Sequence, residues 1–330
     1  MNAAVIGAGY LGSFHAEKYS KLPQVDLVAV CDLDVQKAGK LSKKLKTESV
    51  SDFRLLPDLG VNCATVASDT RTHYEISKFL LDAGIDVLVE KPMTTTINEA
   101  RELIEIARQN NRILQVGHLE RFNPALAKLK EQLHCPWFFE VRRIAPFKGR
   151  GADVDVVLDL MIHDIDLLLY LSGRRIIKVE AMGIPVLTGS IDIANARLEF
   201  EGGAVANVSA SRAAFQSERT IRVFQPDRYI SLDLEKKRIK VATRGEGLTL
   251  LGFPQIDQQE EYIDERDALQ DQVSSFVEAA RNRTKPLVSG EDGLRALELV
   301  ERIKESMRES ALRFTEAPTA EVVSALGIQI

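Results

Sequence analysis

Three short segments of this chain carry residue types that could do chemistry: Gly7-Ala8-Gly9-Tyr10-Leu11-Gly12, Glu90-Lys91-Pro92 and Asp159-Leu160-Met161-Ile162-His163. In the first, Gly7 permits a tight turn, Gly9 lets backbone approach a pyrophosphate, and Gly12 lets a helix pack closely on a strand. Lys91 is a cation able to stabilise a developing alkoxide. Asp159 and His163 are four residues apart, so on a helix they share a face and pair a carboxylate with a base. Together the segments offer a seat for a dinucleotide and a set of groups that could work on a hydroxyl. Each has a plainer reading: a glycine turn in some other α/β protein, a solvated Glu–Lys pair at a strand end, and a structural Asp–His pair.

Elements of the right kind surround each segment. Residues 2–6 read as a buried strand and 10–20 as the helix after the turn. A pyrophosphate would sit on that helix's N-terminal amides. A second strand, 25–31, ends in Asp32, whose carboxylate would accept bonds from an adenosine ribose diol and repel a 2′-phosphate. Asp34 adds negative charge and no Arg follows closely, so NAD is expected over NADP. Lys91 follows strand 86–89 at its carboxyl end, where ligands bind in open α/β sheets, and Glu90 is placed to bond a ribose hydroxyl. Strands 62–67 and 113–116 and helices 72–83 and 97–109 complete a doubly wound parallel sheet.

After Gly117 the pattern changes. A helix is predicted over 124–133 and a strand over 137–144. An apolar helix over 156–171 carries Asp159, His163, Asp164 and Asp166. Extended runs follow at 176–187, 191–200, 204–211, 219–224, 229–234 and 238–243, with Glu201-Gly202-Gly203 as a hairpin turn. Helices 267–282 and 292–309 close the chain. Residues 245–264 are the least patterned and read as a mobile loop. The fold expected is α/β: a Rossmann domain over 1–118, then an α+β substrate and dimerisation domain over 119–330 with an open, mostly antiparallel sheet.

The net charge of −5 gives no pull toward nucleic acid. Cys31, Cys63 and Cys135 are scattered, which argues against a disulfide framework, and no Cys/His spacing suits zinc, so no metal is expected. No apolar run reaches membrane length, and the N-terminal residues lack a basic leader pattern, so a cytoplasmic location is expected. His15 reads as a packing residue, His118 as lining the cleft and His134 as exposed. Trp137 and Phe138-Phe139 read as core.

The chain resembles the glucose–fructose oxidoreductase/inositol dehydrogenase (Gfo/Idh/MocA) family of NAD(P)-dependent oxidoreductases over nearly its full length. The likeness rests on Gly7-x-Gly9-x-x-Gly12, His73 ahead of the run Ala83 to Pro92, Arg121-Phe122-Asn123-Pro124, Asp159-x-x-x-His163-Asp164-x-Asp166 and Glu291-Asp292-Gly293. It implies Lys91, Asp159 and His163 as the catalytic set. It implies a cofactor set of Gly7, Gly9, Tyr10, Leu11, Gly12, Asp32, Ser68, His73, Glu90 and Lys91, and dimers or tetramers built on the open sheet. A narrower likeness, in residues 117–124 and 157–166, is to members acting on nucleotide sugars. It implies oxidation of a C3 hydroxyl to a ketone, on a substrate such as UDP-N-acetylglucosamine. A pyridoxal-phosphate aminotransferase would act next, in some bacteria toward lipid A. The substrate set is then Arg121, Asn123, Arg143, Arg150 and His163. Arg142 and Lys148 are further cations nearby, and all of these cations have an ordinary surface reading. A free polyol such as inositol is the other substrate considered, and a non-catalytic NAD-sensing or scaffold protein is the reading from another class.

Overall fold

The computed structural model describes residues 1–147, 149, 154–263, 266–312, 324 and 327. In chain order, β1 (Asn2–Ile6) leads to α1 (Tyr10–Tyr19), β2 (Asp26–Cys31), α2 (Val35–Leu45), β3 (Glu48–Val50) and β4 (Cys63–Val66). Then come α3 (Thr70–Asp82), β5 (Asp86–Val89), α4 (Ile97–Gln109), β6 (Leu114–Val116) and α5 (Pro124–Glu131). After β7 (Phe138–Ile144), a π-helical turn (Val157–Met161) runs into α6 (Ile162–Ser172). Strands β8 (Ile176–Ile184), β9 (Ile193–Phe200), β10 (Val205–Ser211), β11 (Glu218–Phe224), β12 (Arg228–Asp233), β13 (Arg238–Leu248) and β14 (Pro254–Tyr262) follow. Helices α7 (Ala268–Asn282) and α8 (Gly290–Ala311) come last.

The chain divides into two compact units, Met1–Phe122 with Arg266–Leu297, and Asn123–Glu265 with Glu298–Ile330. The segment carrying α7, read above as part of the second region, therefore belongs with the first. The reason is apolar: Val273, Phe276 and Val277 on one face of α7 join the buried cluster of Val5, Tyr19, Val30 and Leu88.

The first unit holds a six-stranded parallel sheet in the order β3-β2-β1-β4-β5-β6. Its central strands are buried on both faces, as parallel strands flanked by helices must be. The strand order reverses between β1 and β4, which opens a crevice at their carboxyl ends. Side chains start α2, α3 and α4: Asp34 accepts from the amides of Gln36 and Lys37, Asp69 from that of Arg71, and Thr96 with Glu99 forms a capping box. Helix α2 and strand β3 were absent from the sequence reading; α2 is largely polar, and β3 is three residues long.

The second unit holds an eight-stranded sheet in the order β14-β13-β12-β11-β7-β10-β9-β8. All neighbours pair antiparallel except β7 and β10. Alternation along β7, β9, β10 and β11 buries one face and exposes the other. Residues 245–264 depart from expectation. Their described part continues β13 and forms β14, a ribbon in register from Arg238↔Tyr262 to Arg244↔Ile256. Every residue of β14 is exposed, so no period of burial marked it in the sequence. Cross-strand pairs of Glu260 with Arg238 and Lys240 hold it instead. Trp137 also departs: it is exposed, whereas Phe139 is fully buried.

Candidate functional site

The crevice of the first unit has the features of a dinucleotide seat. Gly7 sits at φ +99°, where a side chain would meet Ala67 O at 2.4 Å, and a Cβ on Gly12 would lie 1.8 Å from Gly7 O. Close helix–strand packing thus requires glycine at both positions. Beyond Gly9 the space is open: a Cβ there would have nothing within 4 Å. Gly9 caps α1 without a side-chain bond, and the helix ladder begins with Ser13 N–H to Gly9 O. The amides of Tyr10, Leu11 and Gly12 therefore form the first turn at the crevice, the geometry that favours a phosphate.

Gly7, Gly9, Asp32 and Ser68 line one cleft of about 390 Å³, with Cys31 and Phe53 on its walls. Asp32 is fixed by two amides: Oδ2 accepts from Ala8 N at 2.7 Å and Oδ1 from Asp34 N at 2.8 Å. Lys37, the first cation along α2, is 3.2 Å from Asp34 and paired with it. A fixed carboxylate facing the cleft suits a ribose diol and opposes a 2′-phosphate. NAD⁺ is therefore expected to bind at least about tenfold tighter than NADP⁺, from lost diol bonds and added repulsion. Titration of both cofactors checks this, and equal affinities would remove that role from Asp32. Cys31 is no nucleophile here: burial, with the charges of Asp32 and Asp52, pushes its thiol up to about 12.

Lys91 is half-buried just past β5. The strand is extended by Glu90 N–H to Val66 O and Gly117 N–H to Val89 O, which fix the turn, and the Lys91–Pro92 bond is cis. The structure brings Glu90 and His73 to this turn. Glu90 is buried, with Oε1 2.9 Å from His15 Nε2 on α1. Burial alone would raise its carboxyl pKa, but the His15 hydrogen bond and the charges of His15 and Lys91 outweigh it and hold the pKa below the usual value. One carboxylate oxygen thus serves His15, and the other lies 3.4 Å from the Lys91 amide. His15, read as a packing residue, is its partner. His73 is 1% exposed, with Nδ1 2.9 Å from Pro92 O and Nε2 3.2 Å from Ser68 O. Its ring faces two protein carbonyls, one in the turn after Lys91 and one in the wall of the cleft. His118 is buried and His134 pairs with Asp227.

Asp159 lies in the π-helical turn and His163 in the first turn of α6; both are half-buried. Turns of this kind recur at functional sites because they re-aim side chains. Asp155 anchors this one: its Oδ1 accepts from Leu158 N, its carbonyl from Asp159 N, and Oδ2 lies 3.4 Å from Lys304 Nζ. A buried network stands behind it. Asp192 accepts from the amides of Val186, Leu187 and Thr188 and from Arg212 Nε, and Arg212 Nη1 donates to Val154 O. No sequence signal marked Asp192 or Arg212, whose partners are brought together by packing of separate segments. Asp155, by contrast, lies three residues before the amide it accepts from, the spacing of a helix cap.

Most of the cations assigned to a substrate have a carboxylate partner. Arg143 donates two parallel bonds of 2.9 Å to Asp164, both side chains being buried. Arg121 is buried 3.7 Å from Asp292, whose Oδ2 accepts from Ser289. Asn123 caps α5 by accepting from Ala125 N. Arg142 lies 3.4 Å from Glu218. Arg150 and Lys148 lie outside the described residues. Among the described residues no cluster of three or more His, Cys, Asp or Glu could hold a metal ion, and no helix is long and apolar enough to cross a membrane.

Comparison with known proteins matches two family models. Residues 1–118 match "Oxidoreductase family, NAD-binding Rossmann fold", and residues 135–228 match "GFO/IDH/MocA C-terminal domain". The chain is 34% identical over 298 residues to UDP-N-acetylglucosamine 3-dehydrogenase of Acidithiobacillus ferrooxidans, covering 90% of this chain and 94% of that protein. A solved structure of that enzyme superposes with a TM-score of 0.89 at 33% identity, over 95% of this chain and 99% of the other. Myo-inositol 2-dehydrogenase of Thermotoga maritima is 28% identical, over 94% of this chain and 97% of its own.

Proposed function

Because the chain belongs to the GFO/IDH/MocA family of NAD-binding oxidoreductases, we propose that it oxidises a secondary hydroxyl of a sugar to a ketone, at C3 of a nucleotide sugar such as UDP-N-acetylglucosamine. The observation that carries the substrate is the 34% identity, over nine-tenths of the chain, to an enzyme of that name.

In this reading the amides of Tyr10, Leu11 and Gly12 hold the pyrophosphate and Asp32 the ribose diol. His163 takes the hydroxyl proton, and general-base help of this kind is worth roughly 10²–10⁴-fold. Lys91 donates to the hydroxyl oxygen and stabilises the negative charge that grows there. Asp159, one turn before His163, orients the imidazole or a neighbouring sugar hydroxyl. Bound NAD⁺ supplies the hydride acceptor. The balance is one hydroxyl proton to His163, one hydride from the same carbon, and a C=O double bond left behind.

A second reading, oxidation of a free polyol, has one observation in its favour: Arg121 and Arg143, two arginines reserved for a diphosphate, already face Asp292 and Asp164. Incubating the protein with NAD⁺ and either UDP-N-acetylglucosamine or myo-inositol, and following NADH, separates the two. Turnover on inositol alone would overturn the nucleotide-sugar reading. A non-catalytic scaffold would show turnover on neither, and the presence of Lys91 and His163 speaks against it.

A ketone at C3 is a fit substrate for a pyridoxal-phosphate aminotransferase, which places the reaction before a 3-amino sugar, in a cytoplasmic route such as that toward lipid A. The protein is also read as a homodimer or a tetramer built from two dimers. The outer face of its large sheet exposes Met182, Ile184, Ile193 and Phe224, apolar surface that a second copy would cover. Light scattering at working concentration is expected to give at least twice the chain mass; a monomer would contradict this.

A further inference from the structure

We propose that His73 is a positioning residue for Lys91, tying the Lys91–Pro92 turn to α3 beside the Ser68 wall of the cofactor cleft. The proposal rests on the reading of Lys91 given above. His73 sits in the first turns of α3, and its ring spans two segments that meet the site from different strands. On one side Nδ1 is 2.9 Å from the carbonyl oxygen of Pro92, one peptide beyond the lysine. On the other Nε2 is 3.2 Å from the carbonyl oxygen of Ser68, which lines the cleft just after β4. The Ser68 loop is itself braced, by Ser68 Oγ to Thr72 Oγ1 at 2.8 Å and Thr72 Oγ1 to Asp69 O at 2.7 Å. Pro92 is buried, so its carbonyl has no ready water to replace the imidazole.

A neutral imidazole has one N–H and so can donate to one carbonyl only. Burial lowers the basicity of His73 more than the Pro92 and Ser68 carbonyls and the Glu90 and Asp69 charges raise it, so the ring is neutral near pH 7. The shorter contact takes the proton: Nδ1–H donates to Pro92. That bond holds the plane of the peptide after Lys91 to α3, with the Ser68 carbonyl only packed against the far edge of the ring. A general acid or electrostatic stabiliser works only when held close to the reacting atoms. The tether therefore acts on turnover, through Lys91, rather than on capture of the sugar.

Two conservative substitutions separate the two contacts. In His73→Asn the amide nitrogen falls where Nδ1 lay and can keep the bond to Pro92; in His73→Gln it falls where Nε2 lay and reaches Ser68 instead. His73→Leu keeps bulk and loses both. The experiment measures, for each variant, kcat, sugar KM, melting temperature and the rate at which acetic anhydride labels Lys91. Labelling is read by peptide mass spectrometry against the exposed Lys43 and Lys46. His73→Leu and His73→Gln are expected to lose about tenfold in kcat, the size of one lost buried hydrogen bond, with sugar KM little changed. In both, the relative labelling of Lys91 is expected to shift by about threefold or more. His73→Asn is expected to stay near wild type in both readouts. Unchanged Lys91 labelling in His73→Leu overturns the proposal, as does rescue by Gln equal to rescue by Asn. So does a loss of melting temperature with normal kcat per folded molecule. The labelling arm needs no substrate. If the wild-type protein oxidises none of the sugars yet the labelling pattern holds, the functional reading falls and the tether stands.

Discussion

His163→Ala and Lys91→Ala are each expected to lower turnover by roughly 10²-fold or more, with NAD⁺ affinity and melting temperature little changed. The two losses have different causes. Without His163 the hydroxyl proton has only water to go to, since Asp164, the carboxylate in the first turn of α6, is buried and held by Arg143. Without Lys91 the oxygen loses a cation at the moment its charge grows, in a half-buried setting where the cation is worth more than in open water. Raising the pH should rescue His163→Ala in part, since hydroxide can replace the base, and should do little for Lys91→Ala. Asp159→Asn belongs to the same group: it preserves shape and removes the charge one turn before the base. If the Asp–His pair were only structural, the pattern would reverse. Melting temperature would fall, and the surviving folded fraction would keep its specific activity.

Arg143→Ala is expected to cost about 3–5 kcal/mol of stability, because it strands the Asp164 carboxylate in the interior of the second unit. For a domain of this size that is a fall in melting temperature on the order of 10 °C. The double substitution Arg143→Met with Asp164→Leu should recover much of the loss, since buried ion pairs can be replaced by apolar side chains of similar volume at little cost. The sugar KM of the folded fraction should hold. The opposite outcome, a normal melting curve with a raised KM, would return Arg143 to the substrate. Differential scanning calorimetry beside steady-state kinetics on the same samples distinguishes them.

What could be read in the chain beforehand follows from how local each requirement is. The Gly7–Gly12 cradle was legible because a positive φ and a close approach are demands on single residues, each met by glycine. The carboxyl end of β5 was legible because a short apolar run ended at a proline. Side-chain destinations were not. Glu90 turns to His15, 75 positions away, and Arg143 to Asp164 on another element. A charge near a site in sequence says nothing of which carboxylate it meets once strands and helices pack. The π-helical turn under Asp159 had no signature, since its residues are as apolar as those of an ordinary helix. The β13–β14 ribbon was missed for the opposite reason: with both faces of β14 in water, nothing required apolar residues to alternate.

The most direct test uses UDP-N-acetylglucosamine carrying deuterium at C3, with NAD⁺ and the wild-type protein, and reads both products by mass spectrometry. The account predicts reduced cofactor bearing the deuterium, and a nucleotide sugar lighter by that deuterium and one proton, with a carbonyl at C3. Reduced cofactor without the label, or an unchanged sugar beside active oxidation of inositol, would contradict it.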